Sequence, residues 1–352
     1  MKKIVLFLIA VMFIVTGCSS GSKEDIVEKF SESINKSDSY LLTGKMEIYD
    51  GQDTYTYTLE SSYLKEGYYK VILINDTNNH EQIILRDGES VYVVTPSLNK
   101  SFKFDSVWPD NSSQAYLLDS ILTDIKNDDE HEITELEDGY EIKSAVNYPN
   151  NGELRYQVVT FDSDMNIISV EVYDSNENIY ITVNFTSIDM NAKLKEEDFS
   201  LENYIDIEES QDEETSCMEC SENEEDCESD CTVETSVMDS VLYPLYVPSN
   251  TSLSSSEKVM TDYNERVILT FSGESNFVLI EEASKISSDF EIIPITGNPV
   301  LLNNTIAAIS TNSMYFSKNG VDYYILSNDL TSMEMVSIAN SVGSIQSVMS
   351  TK

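Results

Sequence analysis

The sequence predicts an α+β protein in two folded units: a long antiparallel sheet carrying two helices, then a smaller α+β unit. Three observations lead there. Runs rich in Tyr, Val, Ile and Thr alternate with period two and are separated by turn dipeptides such as Asp50-Gly51 and Asp87-Gly88. Two segments, 23–37 and 114–126, break that rhythm with apolar residues at helical spacing. A stretch at 206–231 holds 13 acidic residues, four Cys and no Lys or Arg, a composition from which no core can form. That stretch divides the chain.

The chain opens on Met1-Lys2-Lys3, followed by an unbroken apolar run from Ile4 to Val15 and then Thr16-Gly17-Cys18. A charged start, a short apolar run and small residues at the end make a bacterial secretory signal, too short for a comfortable permanent membrane span. The run ending in Gly17-Cys18 resembles the lipobox of bacterial lipoproteins. The resemblance implies a diacylglyceryl thioether on Cys18, cleavage before it, and an extracytoplasmic protein held to the membrane by lipid. Residues 1–17 are then a lipoprotein signal peptide and 18–22 a lipidated tether.

The helix over 23–37 rests on Ile26, Val27, Phe30 and Ile34, with Ser22 as its candidate cap. Strands follow at Leu41–Tyr49, Thr54–Tyr63, Tyr68–Ile74, Glu81–Leu85, Ser90–Val94 and Ser101–Phe104. The Asp87-Gly88 pair marks a hairpin. Trp108-Pro109-Asp110-Asn111 stops the strand pattern. A second helix is expected over Gln114–Lys126, from Tyr116, Leu117, Ile121, Leu122 and Ile125. Strands resume at Glu132 and include Tyr140–Val146, Leu154–Phe161, Ile167–Tyr173 and Ile179–Phe185. Residues 23–205 thus form one unit, and 206–238 an acidic linker or insert bearing Cys. Within 239–352, Arg266–Phe271 and Phe277–Ile280 read as a hairpin around Gly273. Phe290–Ile293, Thr305–Ser310, Tyr315-Phe316 and Val321–Ser327 add strands, and Ser332–Ser341 a closing helix.

The 63 acidic and 21 basic residues give a net charge of −42. Such a chain does not bind nucleic acid by neutralising phosphates, nor does it adhere to anionic lipid by charge. It can attract a cationic partner or divalent cations. The two His, His80 and His131, lie in polar turn-like stretches, and no phosphate-binding glycine loop is present. No enzyme activity and no cofactor are expected. Cys217, Cys220, Cys227 and Cys231, spaced C-x2-C-x6-C-x3-C, admit three readings: two disulfides, a zinc site, or a redox-labile switch. Four Cys allow three disulfide connectivities, and sequence does not choose among them. The aromatic residues Tyr55, Tyr57, Tyr92, Phe102, Phe104 and Trp108 could line a groove, and the same alternation also describes a plain core. Tyr116 belongs to the same candidate partner surface.

The order of features over Leu85–Ile125 is specific. It runs Asp87-Gly88, an aromatic strand, Thr95-Pro96, Leu98-Asn99-Lys100, a second aromatic strand, Trp108-Pro109, then Gln114-x-Tyr116-Leu117-Leu118. Phe161-Asp162 and Val170-Glu171-Val172-Tyr173 continue it. The pattern resembles the LolA-like sporulation and germination lipoproteins of spore-forming Firmicutes, over residues 23–205. The resemblance implies a curved, half-open antiparallel β-sheet wrapped on helices with an apolar concave face. It also implies a role in holding a cell-wall (spore cortex) enzyme, such as an amidase. The alternative is a carrier or acceptor with an acyl ligand in the concavity. Residues from Leu242-Tyr243-Pro244 through Phe271-Ser272-Gly273 to Tyr323–Ser327 are similar to a small Firmicute domain of unknown function. Open sheet edges would also permit a homodimer through strand exchange.

Overall fold

The computed structural model describes residues 23–205, 240–260, 265–285 and 289–343. Cys18, Ser22 and the linker residues Cys217, Cys220, Cys227 and Cys231 lie outside the described residues. Among the described residues, no helix is long and apolar enough to cross a membrane.

The first half is the expected open antiparallel sheet with helices packed on it. Helix α1 (Lys23–Asn35) buries Ile26, Val27, Phe30 and Ile34, the face that its apolar spacing defines. Strands β1 (Ser39–Tyr49), β2 (Thr54–Leu64), β3 (Tyr68–Asn75), β4 (Glu81–Asp87), β5 (Val91–Thr95) and β6 (Lys100–Phe104) form a meander. The Asp50 carboxylate accepts from the Gln52 and Asp53 N–H groups and closes the β1–β2 turn. Gly51 there has φ +95°, a conformation that costs glycine little. Helix α2 (Leu118–Asn127) then carries the chain to a second meander: β7 (Glu132–Leu136), β8 (Gly139–Ala145), β9 (Leu154–Asp162), β10 (Ile167–Asp174) and β11 (Ile179–Asp189). The two meanders join where β1 pairs with β11. At their junction a side chain on Gly44 would meet the Asn184 carbonyl at 2.4 Å, so the strands approach this closely only around a glycine.

Helix α2 starts later than the periodicity predicts. Ala115, Tyr116 and Leu117 are buried, but Leu117 has an extended backbone and no side-chain cap. The reason lies in the helix's own polar side chains. Ser120 Oγ accepts from the Gln114 N–H at 2.8 Å, and Ser113 Oγ donates to Asp124 at 2.9 Å. These bonds hold 113–117 as a strap across the first turn, with Tyr116 and Leu117 still facing the core.

In the second half, β12 (Thr251–Met260), β13 (Glu265–Gly273), β14 (Phe277–Ala283), β16 (Asn298–Leu301), β17 (Ile306–Ile309), β18 (Ser313–Lys318) and β19 (Val321–Leu326) make one antiparallel sheet. Its order is β12-β13-β14-β19-β18-β17-β16. Helix α3 (Ser332–Ser341) buries Met335, Val336, Ile338 and Ala339. It begins on a capping box, in which Thr331 Oγ1 accepts from the Glu334 N–H and the Glu334 carboxylate accepts from the Thr331 N–H. Asn319 and Gly320 have φ +52° and +76°, the tight hairpin turn between β18 and β19 that Asn-Gly favours. Strand β12, TSLSSSEKVM, has no strand signature in its sequence. It is serine-rich, pairs only with β13 and is exposed on both faces, so no burial imposes alternation on it.

Strand β15 (Glu291–Ile295) leaves this sheet. It pairs in parallel with β6, from Glu291 opposite Lys100 to Ile295 opposite Phe104, and becomes the edge strand of the first sheet. Pro294, which donates no hydrogen bond, is tolerated at that edge. Behind β4 and β5, Ile83, Leu85, Tyr92 and Val94 pack with Phe199 from the 3-10 turn Glu196–Phe199. Those two central strands are therefore buried on both faces.

Glu281 on β14 is wholly buried. One carboxylate oxygen accepts from the Leu242 N–H at 3.0 Å and the other has no partner among the described residues. Burial raises its pKa from 4.5 to about 7. The contribution of Glu281 to stability is thus greatest when its carboxyl is protonated in both states, below pH 4.5, and falls as pH rises toward about 7. In that window the folded protein holds a proton that the unfolded chain has released. The contribution is about 1.4 kcal/mol per pH unit. Glu281→Gln is expected to flatten this part of the stability profile, measured by urea unfolding from pH 4.5 to 8. An unchanged slope would place Glu281 in water.

Candidate functional site

The helix-bearing face of the first sheet, where a groove was expected, is filled by side chains. Phe102, Phe104, Trp108 and Tyr116 all belong to its core and are between 1% and 7% exposed. The Trp108 ring meets Tyr69 edge-on at 6.1 Å, and its carbonyl accepts from Arg86 at 2.8 Å. The Tyr116 hydroxyl donates to Gln114 at 2.6 Å. Tyr57 is also in this core, with Tyr55 packed against it.

Tyr92 does not join them. In the β5–β6 register it stands opposite Lys103, whereas Val93 stands opposite Phe102. It therefore projects to the other face, where the Lys103 ammonium lies 5.5 Å from its ring centre. The structure brings four of the five candidate surface residues together, as core, and separates Tyr92 by one step of the strand alternation.

The second half of the chain closes this face. Ile306, Ala308 and Tyr315 enter the first core, and the Tyr315 ring packs on Phe102 at 4.5 Å. Polar bonds fix the closure. Asn303 is buried; its carbonyl accepts from the Tyr57 hydroxyl at 2.8 Å and its side-chain oxygen from the Tyr180 hydroxyl at 2.8 Å. Its side-chain NH2 donates to Asp50 at 3.1 Å. The Gln82 side-chain oxygen accepts from the Ile306 N–H at 2.7 Å and from the Thr305 hydroxyl at 3.1 Å. Lys100 on β6 pairs with Asp322 on β19 at 2.9 Å, both nearly buried. What remains between the halves is an apolar cavity of about 70 Å³, lined by Ile48, Ile84, Trp108, Tyr116, Ile181, Leu302 and Val336 among others.

Outside this cavity lies a polar groove of about 900 Å³. Gln52 and Asp53 of the β1–β2 turn and Asn150, Asn151 and Glu153 of the β8–β9 loop form one wall. Tyr246, Met333 and Glu334 of the second half form the other. None of these residues stands out in the sequence. The polar run Asn147-Tyr148-Pro149-Asn150-Asn151-Gly152 was the only signal, and it reads equally as an ordinary turn.

The titratable groups do not assemble a catalytic constellation among the described residues. Burial raises Asp124 to about 6, with the Ser113 hydroxyl bond acting against it. Burial also raises Asp119, which accepts from the Tyr40 hydroxyl at 3.2 Å. Burial lowers the pKa of His80, and the His131 ring contacts the Asp128 carbonyl at 2.8 Å. Among the described residues neither imidazole hydrogen-bonds a carboxylate, and no three His, Cys, Asp or Glu side chains are placed to hold a metal.

No protein-family model matches the sequence. The chain is 34% identical over 340 residues to the sporulation protein YdcC of Bacillus subtilis (strain 168), covering 95% of this chain and 94% of that one. Similar solved structures include MucB in complex with MucA(peri), at 11% identity and a TM-score of 0.29, over 91% of this chain and 97% of that one. The LolA superfamily protein NE2245 from Nitrosomonas europaea shows 10% identity and a TM-score of 0.32, over 52% and 100%. The CwlD amidase from Clostridioides difficile in complex with the GerS lipoprotein shows 16% identity and a TM-score of 0.29, over 48% and 95%.

Proposed function

This chain belongs to the family of the Bacillus subtilis sporulation protein YdcC, and from that membership we propose a non-catalytic, lipid-anchored role in sporulation or germination. The protein stands on the extracytoplasmic face of the cell or forespore membrane. It binds and regulates a cell-wall enzyme of the spore cortex, such as an amidase. The observation that carries the sporulation role is the extent of the likeness, 34% identity over 95% of this chain and 94% of the relative.

The filled sheet face supports a surface-binding scaffold over an acyl carrier. Pockets that hold small molecules are roughly 300–1,000 Å³, whereas the cavity between the halves is about 70 Å³. To accept an acyl chain, the segment from Leu302 to Tyr315 would have to leave the first core, exposing Ile306 and Ala308 and breaking the Asn303 and Gln82 bonds. Strand addition at the exposed edges β7 and β12 is the means by which a partner, or a second copy, would attach.

Deleting the gene in a sporulating host tests the role. Altered cortex modification or germination is the expected result; normal cortex and normal germination would overturn it. Cys18→Ala tests the anchor. With a net charge of −42 the protein has no electrostatic hold on anionic lipid, so loss of the acyl chains is expected to move it from the membrane fraction to the soluble fraction. Incorporation of labelled palmitate into the variant to the same extent as into the parent would refute lipidation at Cys18.

A further inference from the structure

We propose that the polar groove between the two halves binds an oligosaccharide of amino sugars. Its volume of about 900 Å³ is in the range of ligand sites. The polar groups at its floor are already engaged: Asn303 with Tyr180 and Asp50, and Glu334 with the start of α3. Those at its rim are not. The side chains of Gln52, Asp53, Asn150 and Glu153 and the Tyr246 hydroxyl make no hydrogen bond among the described residues, yet they converge on one groove from two elements of the first half and one of the second.

The chemistry of that rim selects the ligand. Carboxamides such as Gln52 and Asn150 offer a donor and an acceptor side by side, the match for neighbouring sugar hydroxyls. The Tyr246 ring, 40% exposed on the opposite wall, offers a flat apolar surface for a pyranose face. Asp53 and Glu153 accept from hydroxyl or acetamido N–H groups and pair with a sugar ammonium. No Lys or Arg lines the groove, and the whole chain carries −42, so phosphorylated or uronic glycans are repelled. A cationic peptide would satisfy the carboxylates and pair its backbone with the carboxamides, but it offers the Tyr246 ring a cation in place of a flat apolar face.

The test is calorimetric titration of the full-length protein in about 0.15 M salt, with chitotetraose, its fully deacetylated form and tetralysine as probes. Both sugars are expected to saturate one site, the deacetylated one more tightly. Tyr246→Ala is expected to weaken both about tenfold. Glu153→Gln is expected to narrow the gap between the two sugars, and Gln52→Ala to weaken both without narrowing it. All three residues are on the rim, and thermal melts of the variants should match the parent. Absence of saturable binding by either sugar would overturn the proposal. So would tetralysine binding as tightly as the deacetylated sugar with no effect of Tyr246→Ala, which would make the groove a cationic-peptide face.

Discussion

Lys100→Met is expected to lower the stability of the protein by about 3–5 kcal/mol, the cost of leaving one member of a buried ion pair without its partner. The Lys100 and Asp322 side chains are 10% and 6% exposed and 2.9 Å apart. Asp322 also accepts from Ser284 at 2.7 Å and from Ser317 at 2.5 Å, and Ser317 in turn contacts the Tyr315 hydroxyl at 2.8 Å. Those hydroxyls cannot supply the missing positive charge. Because Lys100 lies on β6 and Asp322 on β19, the damage falls where the two halves join, beside the parallel β15–β6 pair. Trp108 is the sole tryptophan, so urea unfolding followed by its fluorescence reports directly on this junction. The double variant Lys100→Met with Asp322→Leu removes both charges and should recover most of the loss. A single-variant loss under about 1 kcal/mol, the range of an exposed pair, would show that water reaches the pair and that the halves are not joined by it.

Trp108→Ala is expected to cost about 3–5 kcal/mol as well, through a different mechanism. Trp108 is 1% exposed and is among the largest fully buried side chains. It forms part of the lining of the cavity of about 70 Å³. Its removal enlarges that cavity between elements already fixed by the Arg86 bond to its carbonyl and the Ser106 bond to its N–H. The surroundings therefore collapse only partly. Circular dichroism in urea measures the loss. The enlarged cavity should also take up xenon or benzene, raising the midpoint of the variant but not of the parent. A loss near 1 kcal/mol without ligand stabilisation would mean that the two halves close over the vacancy.

Trp108 shows how far a site can be read from sequence. Its importance was legible, because Trp-Pro ends a strand and precedes a helical period. Its environment was not. Aromatic residues at alternate positions look the same whether they face an open groove or a packed neighbour, and Tyr315, the neighbour of Phe102, lies far along the chain. Tyr92 illustrates the finer point. The alternation correctly put Phe102 and Phe104 on one face and Lys103 on the other, but the face of Tyr92 depends on the register between β5 and β6, which the hairpin sets. The groove residues Gln52 and Tyr246 carry no local signal, and the polar run around Asn150 reads equally as an ordinary turn.

Local chemistry written into the chain determined the elements of this protein. The apolar period of α1, the alternation of β1 to β3, β6 and β8 to β11, the short apolar runs of β4 and β5, and the turns at Asp50-Gly51, Asp87-Gly88 and Asn319-Gly320 each act within a few residues. Tertiary structure alone decided what those elements meet. It placed β15 on the far edge of the first sheet, drew Ile306 and Tyr315 into the first core, paired Lys100 with Asp322, and left a polar groove where the halves touch. Those outcomes depend on burial and pairing between residues about two hundred positions apart, and the free energy of such contacts is a property of the assembled surfaces, not of any single segment.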